Sequence, residues 1–234
     1  MGGIVMSWPL TFISEADFRN HVIATIEELV ERGTFRQSGR ADNDIGYFHR
    51  QILRYVDKCR VSPDGEEADW DVAFNDPDGI LLPTGDRVHT VYAEMRNKHN
   101  TMNSAVARNT YIKMQNQLLQ DDDCACYLVE AIAKRSQDIK WETTVDKRKV
   151  SHRLIRRVSL DRFYALVTGQ EDAFYQMCMV LPDVIESVVN TADIRIPHDT
   201  VMQELQEIAD QKGVSIAMAF YMLGFSTYNG FTEK

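Results

Sequence analysis

The apolar positions of this chain change period along its length, and each change predicts a change of element. From Phe18 to Val30 they fall at helical spacing, as Phe18, Val22, Ile26, Leu29 and Val30. Ser14 stands in front as an N-cap with Asp17 three residues on, and Gly33 stops the run. Residues 35–46 are polar with two glycines and read as a loop. Tyr47 to Lys58 returns to helical spacing through Phe48, Ile52, Tyr55 and Val56. After a turn-rich segment at 62–69 the period drops to two. Trp70, Val72 and Phe74 share one face of a strand, with Asp71 and Ala73 on the other. Asp76-Pro-Asp-Gly79 reads as a turn, Ile80 to Leu82 as a short strand and Pro83 to Arg87 as a second turn. Val88 then opens a long strand running to Lys98. Connections this short predict antiparallel neighbours.

Ser104 to Gln120 is helical, with Ala107, Tyr111, Met114 and Leu118 as its stripe. Cys124 to Ala133 is almost wholly apolar, which suits a buried central strand, and the helix before it suggests a crossover to a parallel neighbour. Residues 140–158 alternate as a hairpin with Asp146-Lys-Arg-Lys149 at its tip. Ser159 caps a helix ending near Gly169. Residues 171–191 are helical with an interruption near Pro182, and 199–212 and 215–223 outline two more helices. The prediction is an α/β chain with a mixed sheet, folded as one domain over 1–234. Its core spans about 47–135, its basic hairpin about 140–158, and its C-terminal helices about 159–234.

Composition narrows the classes. Of 234 residues 44% are apolar and 26% charged, enough for one sizeable core. No apolar run reaches the length of a membrane span, and the start lacks the basic and apolar blocks of a signal peptide, so a cytoplasmic protein is expected. Cys59, Cys124, Cys126 and Cys178 form no Cys-x-x-Cys pair and read as reduced core residues. A net charge of −9 argues against a protein that coats nucleic acid indiscriminately. The charge is unevenly spread, however. Every charged residue from Asp64 to Asp86 is acidic, whereas Lys134 to Arg162 carries ten Lys and Arg against four Asp and Glu. A metal-binding stretch and a phosphate-binding stretch in one chain are what a nuclease uses.

The candidate chemistry lies at the end of the long strand. Period two puts Glu94, Arg96 and Lys98 on one face, a carboxylate beside two cations on a rigid element. A carboxylate there can hold Mg²⁺ while a cation holds phosphate. The bland reading is a solvated ion pair. Two residues compete as the first acid. Asp71 sits inside a strand, opposite the apolar face, and is preferred; Asp78 sits in a predicted turn. His99, Asn100 and Asn103 read equally as helix-capping chemistry or as DNA contacts. Lys147, Arg148, Lys149, Arg153, Arg156 and Arg157 read as a solvated hairpin or as phosphate contacts, with the last three as candidates to read guanine.

A carboxylate early in a strand meander, then Glu-x-cation at the end of its last strand, then a helix and a strand is the αβββαβ layout of the PD-(D/E)xK nuclease core. The wording is more specific than the layout. EMRNKHNTMN at 94–103, TYIKMQNQLLQDDDCACYLVEAIAKRS at 110–136, KWETTVDKRKVSHRLIRRVS at 140–159 and TGQEDAFYQMCMVLP at 168–182 closely resemble type II restriction endonucleases that cut GGNCC-type sites. The resemblance spans about 44–182. It implies Mg²⁺-dependent cleavage of double-stranded DNA, a homodimer matched to a near-palindromic site, and a partner DNA methyltransferase. It implies Glu94 as the Glu of the Glu-x-Lys element and Arg96 in the lysine's place, with Lys98 two positions on as a substitute. Arginine stays protonated, so it can grip phosphate but not act as a base. That departure keeps open an alternative, a DNA-binding protein on the same core that cuts weakly or not at all.

Overall fold

The computed structural model describes residues 7–31, 41–62, 70–98 and 102–191, with isolated positions 207, 209–211, 213 and 219. Helices α1 (Glu15–Glu31) and α2 (Ala41–Ile52) are followed by a single 3₁₀ turn. Strands β1 (Cys59–Val61), β2 (Val72–Leu81) and β3 (Arg87–Lys98) come next, then α3 (Ser104–Gln120) and β4 (Cys124–Ile132). The hairpin β5 (Asp138–Val145) and β6 (Arg148–Ser159) leads into α4 (Leu160–Thr168) and α5 (Ala173–Thr191). The strands form one six-stranded sheet in the order β1-β2-β3-β4-β6-β5. The meander β1-β2-β3 is antiparallel. Strands β3, β4 and β6 run parallel to one another, as the crossover through α3 requires.

The sheet separates two cores. Val72, Phe74, Val91, Ala93, Met95, Tyr127 and Val129 face a layer built from α1, α2, α4 and α5. Tyr92, Cys124, Cys126, Leu128 and Ile155 face α3, through Tyr111 and Met114, and the hairpin's Trp141. Strand β4 is buried along its whole length, which accounts for its nearly unbroken apolar run. The expected mixed α/β sheet with the nuclease-like element order is therefore present. The four cysteines are free thiols. Among the described residues no helix is long and apolar enough to cross a membrane.

Several local readings need correction. Residues 41–46 are helical rather than loop, and α2 ends at Ile52. Gly46 of α2 meets the end of β3 there: a Cβ would stand 1.6 Å from Asn97 Oδ1, so any other residue must displace the Asn97 side chain. Strand β1 was not foreseen, being three polar-flanked residues too short to show a period. Asp76-Pro-Asp-Gly79 does not reverse the chain. Five steps of β2 from Asn75 to Ile80 oppose two steps of β3 from Thr90 to Val88, so the turn-forming residues make a bulge inside one strand. Gly79, at φ +80°, supplies the left-handed residue. Trp70 precedes β2 and packs on the α3 side, away from Val72 and Phe74. Helix α5 runs through Pro182 unbroken, with Leu181 and Val184 buried on either side. The outlined helices at 199–212 and 215–223 lie outside the described residues apart from the isolated positions.

Two buried polar features set the stability of this frame. His49 is fully buried, with Nδ1 3.1 Å from the Tyr164 hydroxyl, and His21 lies 3.4 Å from the Phe48 carbonyl. Burial is the main force lowering both, His49 to about 3 and His21 to about 4, from 6.5. The unfolded chain therefore takes up these protons first, and stability falls as pH drops below 6.5 until the folded values are reached. Each histidine contributes about 1.4 kcal/mol per pH unit in that window. Thermal unfolding between pH 7 and pH 5 should show a falling melting temperature, and His49→Gln should flatten that slope; an unchanged slope would mean His49 is not the linked group.

The second feature is Glu130, on β4. Its side chain is 2% exposed and is held by Arg157 through Nε at 2.8 Å and through Nη2. Arg157→Ala leaves that carboxylate buried without its cation, which costs about 3 kcal/mol. Urea denaturation checks this; a loss under about 0.5 kcal/mol, the range of an ordinary surface substitution, would show that water replaces the guanidinium.

Candidate active site

Strands β2 and β3 part at one end, and the candidate carboxylates stand where they part. The last rung of the ladder pairs Val72 with Ala93, which places Asp71 opposite Glu94 one step further on. Asp71 is in a bend, outside the strand, and its side chain takes over the ladder's work. Its Oδ2 accepts the backbone N–H of Met95 at 2.7 Å, and its Oδ1 accepts from Arg50 Nη1, on α2, at 3.0 Å. Asp78 stands apart. It is exposed in the bulge, and its carbonyl accepts from Arg87 Nη1 at 2.8 Å. Arg87 is seven residues up β3 from Glu94, roughly 20 Å along a strand.

Glu94 and Arg96 point from β3 toward α3, while their neighbours Ala93 and Met95 enter the opposite core. Glu94 is only 8% exposed and faces two cations. Its Oε2 lies 3.5 Å from Arg96 Nη2, and its Oε1 accepts from Lys113 Nζ. Lys113 comes from the middle of α3 and rests 4.4 Å over the Trp70 ring. Sequence reasoning missed both Lys113 and Arg50. Each lies on an amphipathic helix at a position indistinguishable from a solvated one, and only the packing of that helix brings it to the carboxylates.

Asp71 and Glu94, opposite one another in register, are the residues that could hold Mg²⁺, which takes one or two carboxylates with water and phosphate oxygens for the rest. Each Asp71 oxygen has one protein donor and so keeps a lone pair for a cation. The Met95 carbonyl accepts from Arg96 Nη1 at 3.4 Å. Among the described residues no three His, Cys, Asp or Glu side chains converge, so a closed zinc-type cage is not built there.

The remaining candidates separate. Lys98 ends β3 level with Ile132; its side chain, together with His99 and Asn100, lies outside the described residues. Asn103 caps α3, its Oδ1 accepting from Val106 N at 2.9 Å. Lys147, Arg148 and Lys149 are exposed at the hairpin tip, where Asp146 and Lys147 take φ values of 48° and 65° and form the tight two-residue turn. Arg153 is exposed and pairs with Asp86 at 3.1 Å. Arg156 is a correction. It is 5% exposed and committed to the Asp138 carboxylate, to the Asp138 carbonyl at 2.9 Å and to the Arg153 carbonyl at 3.3 Å. That burial removes it from the DNA-facing set. Arg157 is engaged with Glu130, as described above.

Position also matters for the hairpin tip. Register puts Arg157 level with Leu128 and Glu94. Arg148 lies nine residues back along β6, roughly 30 Å at the rise of a strand. The basic tip and the paired carboxylates therefore occupy opposite ends of the sheet.

Comparison with known proteins agrees with this architecture. A family model described as Eco47II restriction endonuclease matches residues 15–190. The type II restriction enzyme Sau96I of Staphylococcus aureus is 30% identical over 157 residues, which cover 64% of this chain and 55% of that protein. The chain thus spans about half the length of this curated relative. No solved structure matches. With a match running from α1 to the end of α5 and the sheet that carries Asp71 and Glu94 inside it, this chain belongs to the Eco47II restriction endonuclease family.

Proposed function

We propose that this chain hydrolyses phosphodiester bonds of double-stranded DNA at a specific site, in a Mg²⁺-dependent reaction at the parted ends of β2 and β3. The observation that carries the reading is the placement of Asp71 opposite Glu94, with a cation from β3 and another from α3 on the Glu94 carboxylate. Family membership supports it. A GGNCC-type recognition sequence rests on the motif resemblance at 94–182 and is part of the same proposal.

Asp71 and Glu94 would hold the divalent cation. When bound, that cation lowers the pKa of a coordinated water and offsets charge on the scissile phosphate. The protein's own groups do the rest. The Met95 amide and Arg50 fix the Asp71 carboxylate, so no rotamer freedom is lost when a ligand arrives. Arg96 offers a planar, permanently charged fork to phosphate oxygens as negative charge builds. It accepts no proton. One scissile bond lies on each strand of a near-palindromic site, so two copies of the chain would each supply one centre.

Lys147, Arg148, Lys149 and Arg153 would contact phosphates away from the scissile bond, since the sheet holds them at its other end. A cognate DNA methyltransferase is the expected functional partner.

The test is cleavage of unmethylated plasmid with Mg²⁺ or EDTA, followed by sequencing of the cut ends. The expected result is discrete Mg²⁺-dependent fragments sharing a GGNCC-type end. Glu94→Ala and Asp71→Ala should each lower the rate at least about 100-fold, while Asp78→Ala cuts like the parent. Unimpaired cutting by both of the first two variants would place the reaction elsewhere.

A further inference from the structure

The element that carries Glu94 has arginine at the position where the resembled motif has lysine, and a lysine reaches the same carboxylate from another part of the fold. Lys113 Nζ donates to Glu94 Oε1. Its seat is built rather than incidental. Trp70 is 5% exposed, its ring lies 4.4 Å from the ammonium, and its Nε1 donates to Gln117 Oε1 at 3.1 Å, one helical turn along α3 from Lys113. The helix itself is fixed by the buried Tyr111 and Met114 on either side of Lys113 and by the Asn103 cap. The Lys113 side chain is 32% exposed and also lines an open groove of about 370 Å³ with Trp70, Asn109, Asn116 and Gln117.

We propose that Lys113 supplies from α3 the ammonium that position 96 lacks: it holds Glu94 in place until a divalent cation takes that oxygen, and then turns to the scissile phosphate. The inference rests on the reading of Glu94 as a metal ligand. The two cations on Glu94 differ in what they can do. Arg96 is a rigid fork whose Nε is buried without a hydrogen-bond partner. Lys113 is a point charge on a flexible stem with three rotatable donors, able to exchange a carboxylate for a phosphate oxygen within reach. Lys113 and a divalent cation also compete for one oxygen, which gives the proposal a signature apart from cutting.

The experiment compares the full-length protein with Lys113→Met, Lys113→Arg, Lys113→Gln and Glu94→Ala. Single-turnover cleavage is measured at saturating Mg²⁺ and DNA. Binding of Tb³⁺ to the DNA-free protein is followed by its luminescence. Lys113→Met should cut about 100-fold more slowly, yet bind Tb³⁺ severalfold more tightly, because Glu94 Oε1 has lost the cation that occupied it. Lys113→Arg, which keeps the charge but not the ammonium, should bind Tb³⁺ no more tightly than the parent and yet cut far more slowly than it. Introducing Arg96→Lys into Lys113→Met should restore cutting in part, by returning a lysine to the carboxylate. Parental cutting by Lys113→Met overturns the proposal, and so does unchanged or weaker Tb³⁺ binding. If Lys113→Met fails to fold, parental cutting by Lys113→Gln overturns it instead. Parental cutting by Glu94→Ala would reject the centre itself; loss there without loss at Lys113 rejects only this role.

Discussion

Everything at the candidate centre depends on one substitution of side chain for backbone. The β2–β3 ladder ends at Val72 and Ala93, and the next amide that seeks a partner, Met95 N–H, finds the Asp71 carboxylate. A buried amide must be paired, so this contact cannot be given up cheaply. It ties the first acid to the strand that carries the second. Arg50 completes the tie from α2. The centre is therefore held by the frame of the sheet and not by a loop.

The sheet's two faces divide the labour. One face is apolar and carries the bulk of the core under α1, α2, α4 and α5. The other is apolar only in part. Along the ends of β3, β4 and β6 it bears Glu94 and Arg96, then Glu130, then Arg157 and Ser159, level with one another in register. Carboxylates buried this deeply stay charged only with cations beside them. Glu130 takes its cation from a strand, and Glu94 takes one from its own strand and one from α3. Arg157 reaches its partner within the sheet, whereas Lys113 also lines an open groove along α3.

How much of this was legible in the sequence follows from which interactions are local. The face shared by Glu94 and Arg96 could be read because a strand alternates whatever surrounds it. The preference for Asp71 over Asp78 rested on a strand position for the first and a turn for the second, whereas Asp71 stands in a bend just before β2 and Asp78 lies in the bulge within it. The buried β4 was written in its own unbroken apolar run. What could not be read required long-range packing. Pro, Asp and Gly at 76–79 are turn residues in any context, and only a continuous partner strand makes them a bulge. Trp70 continued the period of two but left the strand to cover Tyr92 and meet Gln117. Arg156 matched its basic neighbours in sequence, and Asp138, eighteen residues away, drew it inside. Lys113 lies nineteen residues from Glu94 on an amphipathic helix, with no local sign of its partner.

The central claim is that Asp71 and Glu94 together form the metal site at the parted ends of β2 and β3. The most direct measurement is a crystal structure of the protein with duplex DNA containing a GGNCC-type site, grown in Mn²⁺ and phased for its anomalous signal. The account predicts an anomalous peak shared by the Asp71 and Glu94 carboxylates, next to a phosphate. A peak held by other side chains, with Asp71 still bound only to Met95 N–H and Arg50, would contradict it.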